Sequence, residues 1–599
     1  MPPLLDPAPE HAARALIVER SVRAAARTGN RLLSGHRARL EVSDPHLREA
    51  FAAVLGRMGV RIRSGTADQP PPAAEFVFVD SIDPHLRTEP APRVEGSGAS
   101  AAELPATVIA VDGDACSGRA SDAASRIAWA ARGMPVTARL ARTLRANPGA
   151  SGFRPWAEER ERPILRIAVS LVLEPKTAAF AIALADAGCE VAVFSAASET
   201  DPEVARALAA DGRIAVFAPT ALGALLDPTV ADPSADARAV DAAHAAAVLR
   251  WGPDLLIDDG SHLIRLAHTE LPESLVALRG AAEETTSGVR PLHEMVAGGA
   301  LTIPVIAVND ARTKTDFDNL IGTGQSCVFA IADCLEEAAG AAYRGQAGSR
   351  WTVIGYGPVG VGVARFAAAL GAAVTVVERD PVRALAALHD GHEARDASEA
   401  LPASDVVVSA TGVWHTLDAA AVAALRPGTA VAVAGGIDDE VALDELRAAG
   451  WTSTPRTASV AEWCPPGGDR GVLLLANGGG VNYSAAEGNP IEVMDLSFAT
   501  QLAALSRLLH DELTPGVHTL DAADERRVAR IALEARDGAA AERAEGGIEG
   551  DGSGSANRGA ESSSRRPSEA EPARPGGAAQ PWTVHRYRHR PDEPLDSSE

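Results

Sequence analysis

The chain has 599 residues, 46% of them hydrophobic, enough for roughly two to four domains with cores of their own. Its net charge of −24 repels phosphate backbones and anionic lipid, which argues against nucleic-acid and membrane partners. Five scattered cysteines with no CxxC pair argue against a disulfide framework or a structural metal site and fit a cytoplasmic protein. The opening run "MPPLLDPAPEHAARALIVERS" has no leader-type apolar stretch, and no segment approaches the roughly 18 apolar residues of a membrane span.

In chain order, residues 1–120 read as a small α/β unit. "RARLEVSD", "AEFVFVDSI" and "ATVIAVDG" are strand-like, and "PHLREAFAAVLGRMG" has helical apolar spacing. "TADQPPPA" and "RTEPAPRVEGSGASAAELP" read as linkers. Residues 121–340 form a second unit, in which "ILRIAVSLV", "PKTAAFAIALADAG" and "EVAVFSA" make a βαβ element and hence a parallel sheet. "DLLIDDG" and "TIPVIAVND" are further strands that end in acids, where ligands of open parallel sheets bind. A third unit spans 341–480, and 481–537 returns to the second unit with the long helix "DLSFATQLAALSRLLHDEL". Residues 538–580 are low-complexity and too poor in apolar groups to offset chain entropy, and 581–599 form a tail with a basic patch. The expected class is α/β: two Rossmann-like, doubly wound parallel-sheet domains plus an extra small N-terminal α/β domain.

"RWTVIGYGPVGVGVARFAAALGAAVTVVERDP" carries the layout of a dinucleotide site. Gly355 permits the tight turn, Gly357 lets a pyrophosphate approach the backbone, Gly360 lets helix and strand pack closely, and Val359 lies between them at the helix start. Glu378 follows Gly355 by about 23 residues, near the spacing at which a carboxylate binds the adenosine ribose and disfavours a 2′-phosphate; Arg379 weakens that preference. The cofactor expected is NAD. "VNDARTKTDFDN" packs three acids, two bases and two amides where a strand leaves the core. Alone, Lys314 and Asp318 read as a surface ion pair, Glu284 as an acidic helix start and Asp259 as an Asx-type turn.

"VNDARTKTDFDNL", "EETTSGV", "LLIDDG", "GYGPVGVGVA", "GGGVN" and "PGVHTLD" together resemble the S-adenosylhomocysteine hydrolase (adenosylhomocysteinase) family from about Ser121 to Gly538. The resemblance implies a tightly held NAD that oxidises a ribose 3′-hydroxyl, C4′ proton abstraction, elimination of the 5′ substituent, and reduction back. It implies Lys314 beside the 3′-hydroxyl, active only if its pKa is lowered. Asp318 would grip the same sugar edge, Asp259 would take the C4′ proton and Glu284 would hold the ribose hydroxyls. Thr285, Thr286, Ser287, Asn319, Thr411 and Asn482 would contact the cofactor. Tyr587 would reach the NAD of a neighbouring copy in a homo-oligomer, dimer or tetramer.

Several positions depart from the family pattern. Its "HMT" is Val172-Leu173-Glu174, its "GHF" is Gly435-Gly436-Ile437 and its "GHP" is Gly488-Asn489-Pro490, so three imidazoles are gone. "DDGGD" becomes Asp258-Asp259-Gly260-Ser261-His262, the usual cysteine is Thr323, and Tyr587 lacks its lysine. Loss of imidazoles near the 5′ end removes groups suited to proton transfer with water, leaving Glu174 and His262 as possible acid–base replacements. His415 reads as structural or surface. The expected activity is a nucleoside 4′,5′-dehydratase on an adenine-type nucleoside. A true S-adenosylhomocysteine hydrolase and an NAD-binding non-catalytic paralogue stand as alternatives.

Overall fold

Three sheets organise the chain; the two larger ones are built round runs of Val, Ile, Leu and Ala buried on both faces, and the N-terminal one carries Arg-rich, partly exposed strands at its edge. The computed structural model describes residues 9–63, 74–82, 104–145 apart from 112 and 118, 164–223, 233–434 and 439–536. Tyr587, the segments 538–580 and 581–599, the "GHF" equivalent Gly435-Gly436-Ile437 and most of both linkers lie outside these residues.

The central sheet has seven parallel strands in the order Gly516–Thr519, Pro304–Ala307, Gly280–Glu283, Leu255–Asp258, Arg166–Ser170, Glu190–Phe194, Ile214–Phe217. Chain order reverses between Leu255–Asp258 and Arg166–Ser170, which opens a crevice beyond the carboxyl ends of those two strands. Leu171–Glu174 and Asp259 stand at that crevice. Helix starts there are locally encoded. Pro175 occupies the first turn of helix Pro175–Asp186 and Glu174 caps it by accepting from Lys176 N at 3.0 Å; Thr285 caps Thr286–Ala297.

The second large sheet has eight strands and begins with Arg350–Ile354 at its centre. Its own reversal falls between Arg350–Ile354 and Val406–Ser409, so Gly355 and Thr411 face a second crevice. Within the expected span of 341–480, the sheet closes with an antiparallel edge, Thr452–Pro455, Val460–Cys464 and Val472–Leu475.

The N-terminal sheet has five strands, Arg61–Arg63, Arg37–Glu41, Phe76–Val79, Thr107–Ala110 and an antiparallel Ala115–Cys116. A helix unmarked in the sequence reading, Pro9–Gly29, packs on it with Val18, Val22 and Ala25 inward. One hydrophobic core joins this sheet, the helix Thr323–Ala339 and the eight-stranded sheet. Polar ties extend to the other side: Arg31 Nε donates to Glu492 Oε1 at 2.5 Å, Leu32 N donates to Glu492 Oε2 at 2.8 Å, and Gln325 binds both Arg31 O and Leu33 N at 2.9 Å.

The run that carries Lys314, Asp318 and Asn319 is wound unusually. Arg312–Lys314 is one α-turn, Thr315–Gly322 is a π-helix closed by Thr323 N donating to Asp318 O, and Thr323–Ala339 is α-helical. The wider turn swings Lys314, Asp318 and Asn319 to one side. Its rear is held by near contact of two backbones. A Cβ on Gly362 would lie 1.9 Å from Leu320 O, and one on Gly324 would lie 2.6 Å from Gly362 C. Gly362→Ala is expected to destabilise the protein by at least the ~1–3 kcal/mol typical of overpacking, read as a lower melting temperature, and, on the family resemblance that sets Asn319 of the displaced turn at the cofactor, to loosen NAD retention. A variant that melts and retains NAD like the wild type would refute this.

Candidate active site

The two crevices open into one cavity of ≈ 840 Å³, lined from both large sheets. It contains Glu174, Asp259, Glu284, Thr285, Thr286, Ser287, Lys314, Asp318 and Asn319 on one side and Gly355, Gly357, Val359, Glu378 and Thr411 on the other, with Asn482 and Asn489 between them. Gly360 lies behind the lining. A Cβ there would sit 1.9 Å from Gly355 O, so this glycine is required for the turn to close.

Lys314 is 4% exposed. Its Nζ donates to Asn319 Oδ1 at 2.6 Å and lies 3.1 Å from Asp318 Oδ2. The lysine was expected to have a lowered pKa. Burial does press that way, but Asp318, Glu284 and Asp259 outweigh it, and the ammonium is held above the ordinary lysine value. A lysine alone in an apolar pocket would lose its proton, whereas this one faces three carboxylates.

Glu284, 8% exposed, accepts from Ser497 Oγ at 2.9 Å. Burial lifts its carboxyl to about 7, with Lys314 opposing and Asp259 and Asp318 assisting. Asp318 Oδ1 accepts from Asn489 Nδ2 at 2.6 Å. Asn319 Nδ2 donates to Asn309 Oδ1 at 3.0 Å, and Thr286 Oγ1 donates to the same oxygen at 3.0 Å. Thr285 is engaged on the substrate side: its Oγ1 donates to Glu283 Oε1 at 2.9 Å and accepts from Gly260 N at 3.0 Å and Ser287 Oγ at 3.2 Å.

Glu283, which the sequence reading passed over, is fully buried behind this loop. It accepts from Gly260 N at 2.9 Å, Ser261 N at 2.8 Å and Thr285 N at 3.0 Å. Burial, then Asp258 and Asp259, raise its pKa well above the carboxylate range. Gly260 and Ser261 both take positive φ, 72° and 54°, so the loop that presents Asp259 is bent sharply and Glu283 fastens it. The double acid "EE" after a strand was the available sequence signal.

His262 is not brought into the cavity. It is 7% exposed and opens the helix His262–Thr269, with its ring folded against Gly260. A positive-φ turn ahead of it directs Asp259 inward and His262 back over the loop. Glu174 does line the cavity. Its Oε2 binds Lys176 Nζ at 2.6 Å, and burial raises its pKa despite that lysine. His415, read as structural or surface, instead lines the cofactor side, with Nε2 3.1 Å from Asp444 and Nδ1 3.1 Å from Glu445.

The glycine cradle fits a dinucleotide. Gly355 has φ 92°, and a Cβ on Gly357 would meet nothing nearer than Arg383 Nη1 at 3.7 Å, which leaves room for a pyrophosphate beside a helix N-terminus. Arg383 and Arg379 line the same wall, and Glu378 accepts from Tyr356 N at 2.7 Å and Asp380 N at 2.9 Å.

Two facing crevices, one built for a dinucleotide and one filled with a lysine and carboxylates, define an NAD-binding enzyme. Residues 325–488 match the family model for the S-adenosyl-L-homocysteine hydrolase NAD-binding domain. The chain is 36% identical over 415 residues to adenosylhomocysteinase from Thermotoga maritima, covering 68% of this chain and 93% of that one. It is likewise 36% identical over 382 residues to S-inosyl-L-homocysteine hydrolase from Methanopyrus kandleri, covering 63% and 85%. The chain belongs to the S-adenosylhomocysteine hydrolase family. No helix among the described residues is long and apolar enough to cross a membrane, and none of their His, Cys, Asp and Glu groups forms a metal-binding cluster.

Asp258 offers a pH test of this acid cluster. It is buried, accepts from Ile264 N at 2.9 Å, and burial lifts it to about 7, with Asp259 adding to the rise. A carboxyl held near 7 when folded and about 4 when unfolded retains its proton better in the folded chain. It therefore costs stability progressively as pH rises from about 4 to about 7. Asp258→Asn removes that cost and keeps an oxygen for Ile264. It is expected to melt several degrees above wild type at about pH 8, with the gain vanishing towards about pH 4. A pH-independent shift would contradict the assignment.

Proposed function

We propose that this chain is a nucleoside 4′,5′-dehydratase acting on an adenine-type nucleoside. NAD, when bound, supplies reversible two-electron oxidation of the ribose 3′-hydroxyl, which makes the neighbouring C4′ hydrogen acidic. Gly355, Gly357, Val359, Glu378, Thr411, Asn319 and Asn482 hold and orient it.

Asp318 and Glu284 grip the ribose hydroxyls, and Lys314 stands at the 3′ oxygen. Because the carboxylates keep Lys314 protonated, the 3′-hydroxyl proton passes into the shared Lys314–Glu284 pair, where Glu284, with a pKa of about 7, can hold it. Asp259, fastened by the Glu283 loop, takes the C4′ proton. Glu174, with its raised pKa, gives a proton to the departing 5′ oxygen, so water leaves and a 4′,5′ double bond forms; as the reversible oxidation runs back, the proton held at Glu284 returns to the 3′ oxygen.

The observation that carries this reading is what the cavity lacks. Among the described residues that line it, the only histidine is His415, on the cofactor sheet between two acids. Val172 and Asn489 occupy lining positions where the family pattern has imidazoles. An aliphatic group cannot shuttle a proton to incoming water, so elimination is supported over re-addition. The names of the relatives favour a second reading, hydrolysis of S-adenosyl- or S-inosyl-homocysteine.

Purified protein is to be incubated with adenosine, inosine, S-adenosylhomocysteine and S-inosylhomocysteine, with products identified by mass spectrometry. Loss of one water from a nucleoside is expected. Release of homocysteine would establish the second reading, and unchanged nucleosides throughout would indicate a non-catalytic NAD binder. Lys314→Ala is expected to abolish formation of bound NADH while NAD stays bound.

A further inference from the structure

Asn489 takes the place of a family histidine, yet its contacts are those of a junction. Its amide uses all of its hydrogen-bonding capacity. Nδ2 donates to Asp318 Oδ1 at 2.6 Å and Thr323 Oγ1 at 2.9 Å. Oδ1 accepts from Asn482 Nδ2 at 3.0 Å and Ser326 Oγ at 2.7 Å. Asp318 belongs to the sugar-gripping group and Asn482 to the group assigned to the nicotinamide end, and each lines the cavity. The remaining bonds fix Asn489 to the first turn of the helix Thr323–Ala339, which begins where the π-helix ends.

We infer that Asn489 is a positioning residue that locks the sugar clamp and the cofactor amide in register. Binding on one side thereby prepares the other. The inference rests on the proposed nucleoside chemistry and adds how its two halves are coupled. Asn489 binds neither substrate nor cofactor in this role. It holds Asp318 with one oxygen turned to Asn489 and the other to Lys314, and it holds Asn482 by its amide nitrogen.

The side-chain chemistry is selective. An imidazole offers two ring nitrogens and cannot donate twice while accepting twice. A carboxylate would stand against Asp318 at hydrogen-bond distance and repel it. Asparagine alone supplies two donors and two acceptors in that space, and its contribution to the lock does not change with pH.

The test reads linkage as well as rate. Nucleoside affinity is measured by calorimetry for NAD-free protein and for protein loaded with NADH, in which no oxidation can start. Wild type is expected to bind nucleoside at least about fivefold more tightly when loaded, because coupling between sites is reciprocal and of this order. In Asn489→Ala this difference is expected to fall to within about twofold. The burst of bound NADH on mixing NAD-loaded variant with saturating nucleoside is expected to slow by about 10²-fold, the cost of a small misplacement.

Asn489→Asp, nearly isosteric, guards against a variant that simply fails to fold. Its burst is expected to be weak near neutral pH and to recover as pH falls and the new acid gains a proton to donate to Asp318. Lower melting temperature with linkage and burst unchanged would overturn the inference, as would an Asn489→Asp burst without pH dependence. Absence of bound NADH in the wild type with every nucleoside would instead overturn the proposed chemistry, and this inference with it.

Discussion

The site depends on one electrostatic arrangement: a buried ammonium, Lys314, surrounded by Asp318, Glu284 and Asp259. Removing any of these ions from water singly is costly. Together they become tolerable, because each carboxylate lowers the cost of the cation and the cation lowers theirs. The fold serves this grouping. The seven-stranded sheet ends its central strands in acids, and the π-helical turn delivers the lysine and its nearest carboxylate from another direction. The backbone contact at Gly324 and Gly362 fixes that turn to the cofactor helix.

The same arrangement explains why the acids differ in character although all but the half-buried Asp259 are buried. Asp318 lies directly on the ammonium. Glu284 is near it but also near other acids, and its carboxyl sits at about 7. Glu283 and Asp258 lie behind the loop where no cation reaches, and both retain protons at unusually high pH. Glu284 on the cavity wall and Asp258 and Glu283 in the sheet thus all hold a proton more tightly than an ordinary carboxylate.

Much of this was legible in the residues. The glycine fingerprint, the strand-end acids and the Lys314 run have fixed spacings because backbone geometry demands them, and each falls at a crevice. Four things were not legible. The direction of the Lys314 shift depends on how many carboxylates face it, which spacing along the chain does not reveal. Asn489 reads as a loss of function in sequence, since its partner Asp318 is 171 residues away. His262 sits next to a site residue in sequence, but positive backbone angles at Gly260 and Ser261 turn it away. The helix Pro9–Gly29 was missed because its buried face is built mainly from alanine and valine, a stripe too faint to stand out.

The N-terminal sheet is no passenger. Its Arg31 and Leu32 fasten Glu492 on the substrate side while Leu33 meets Gln325 on the helix that leads into the cofactor sheet. Its bonds are mortared across the joint between two walls, so losing this unit would slacken both at once.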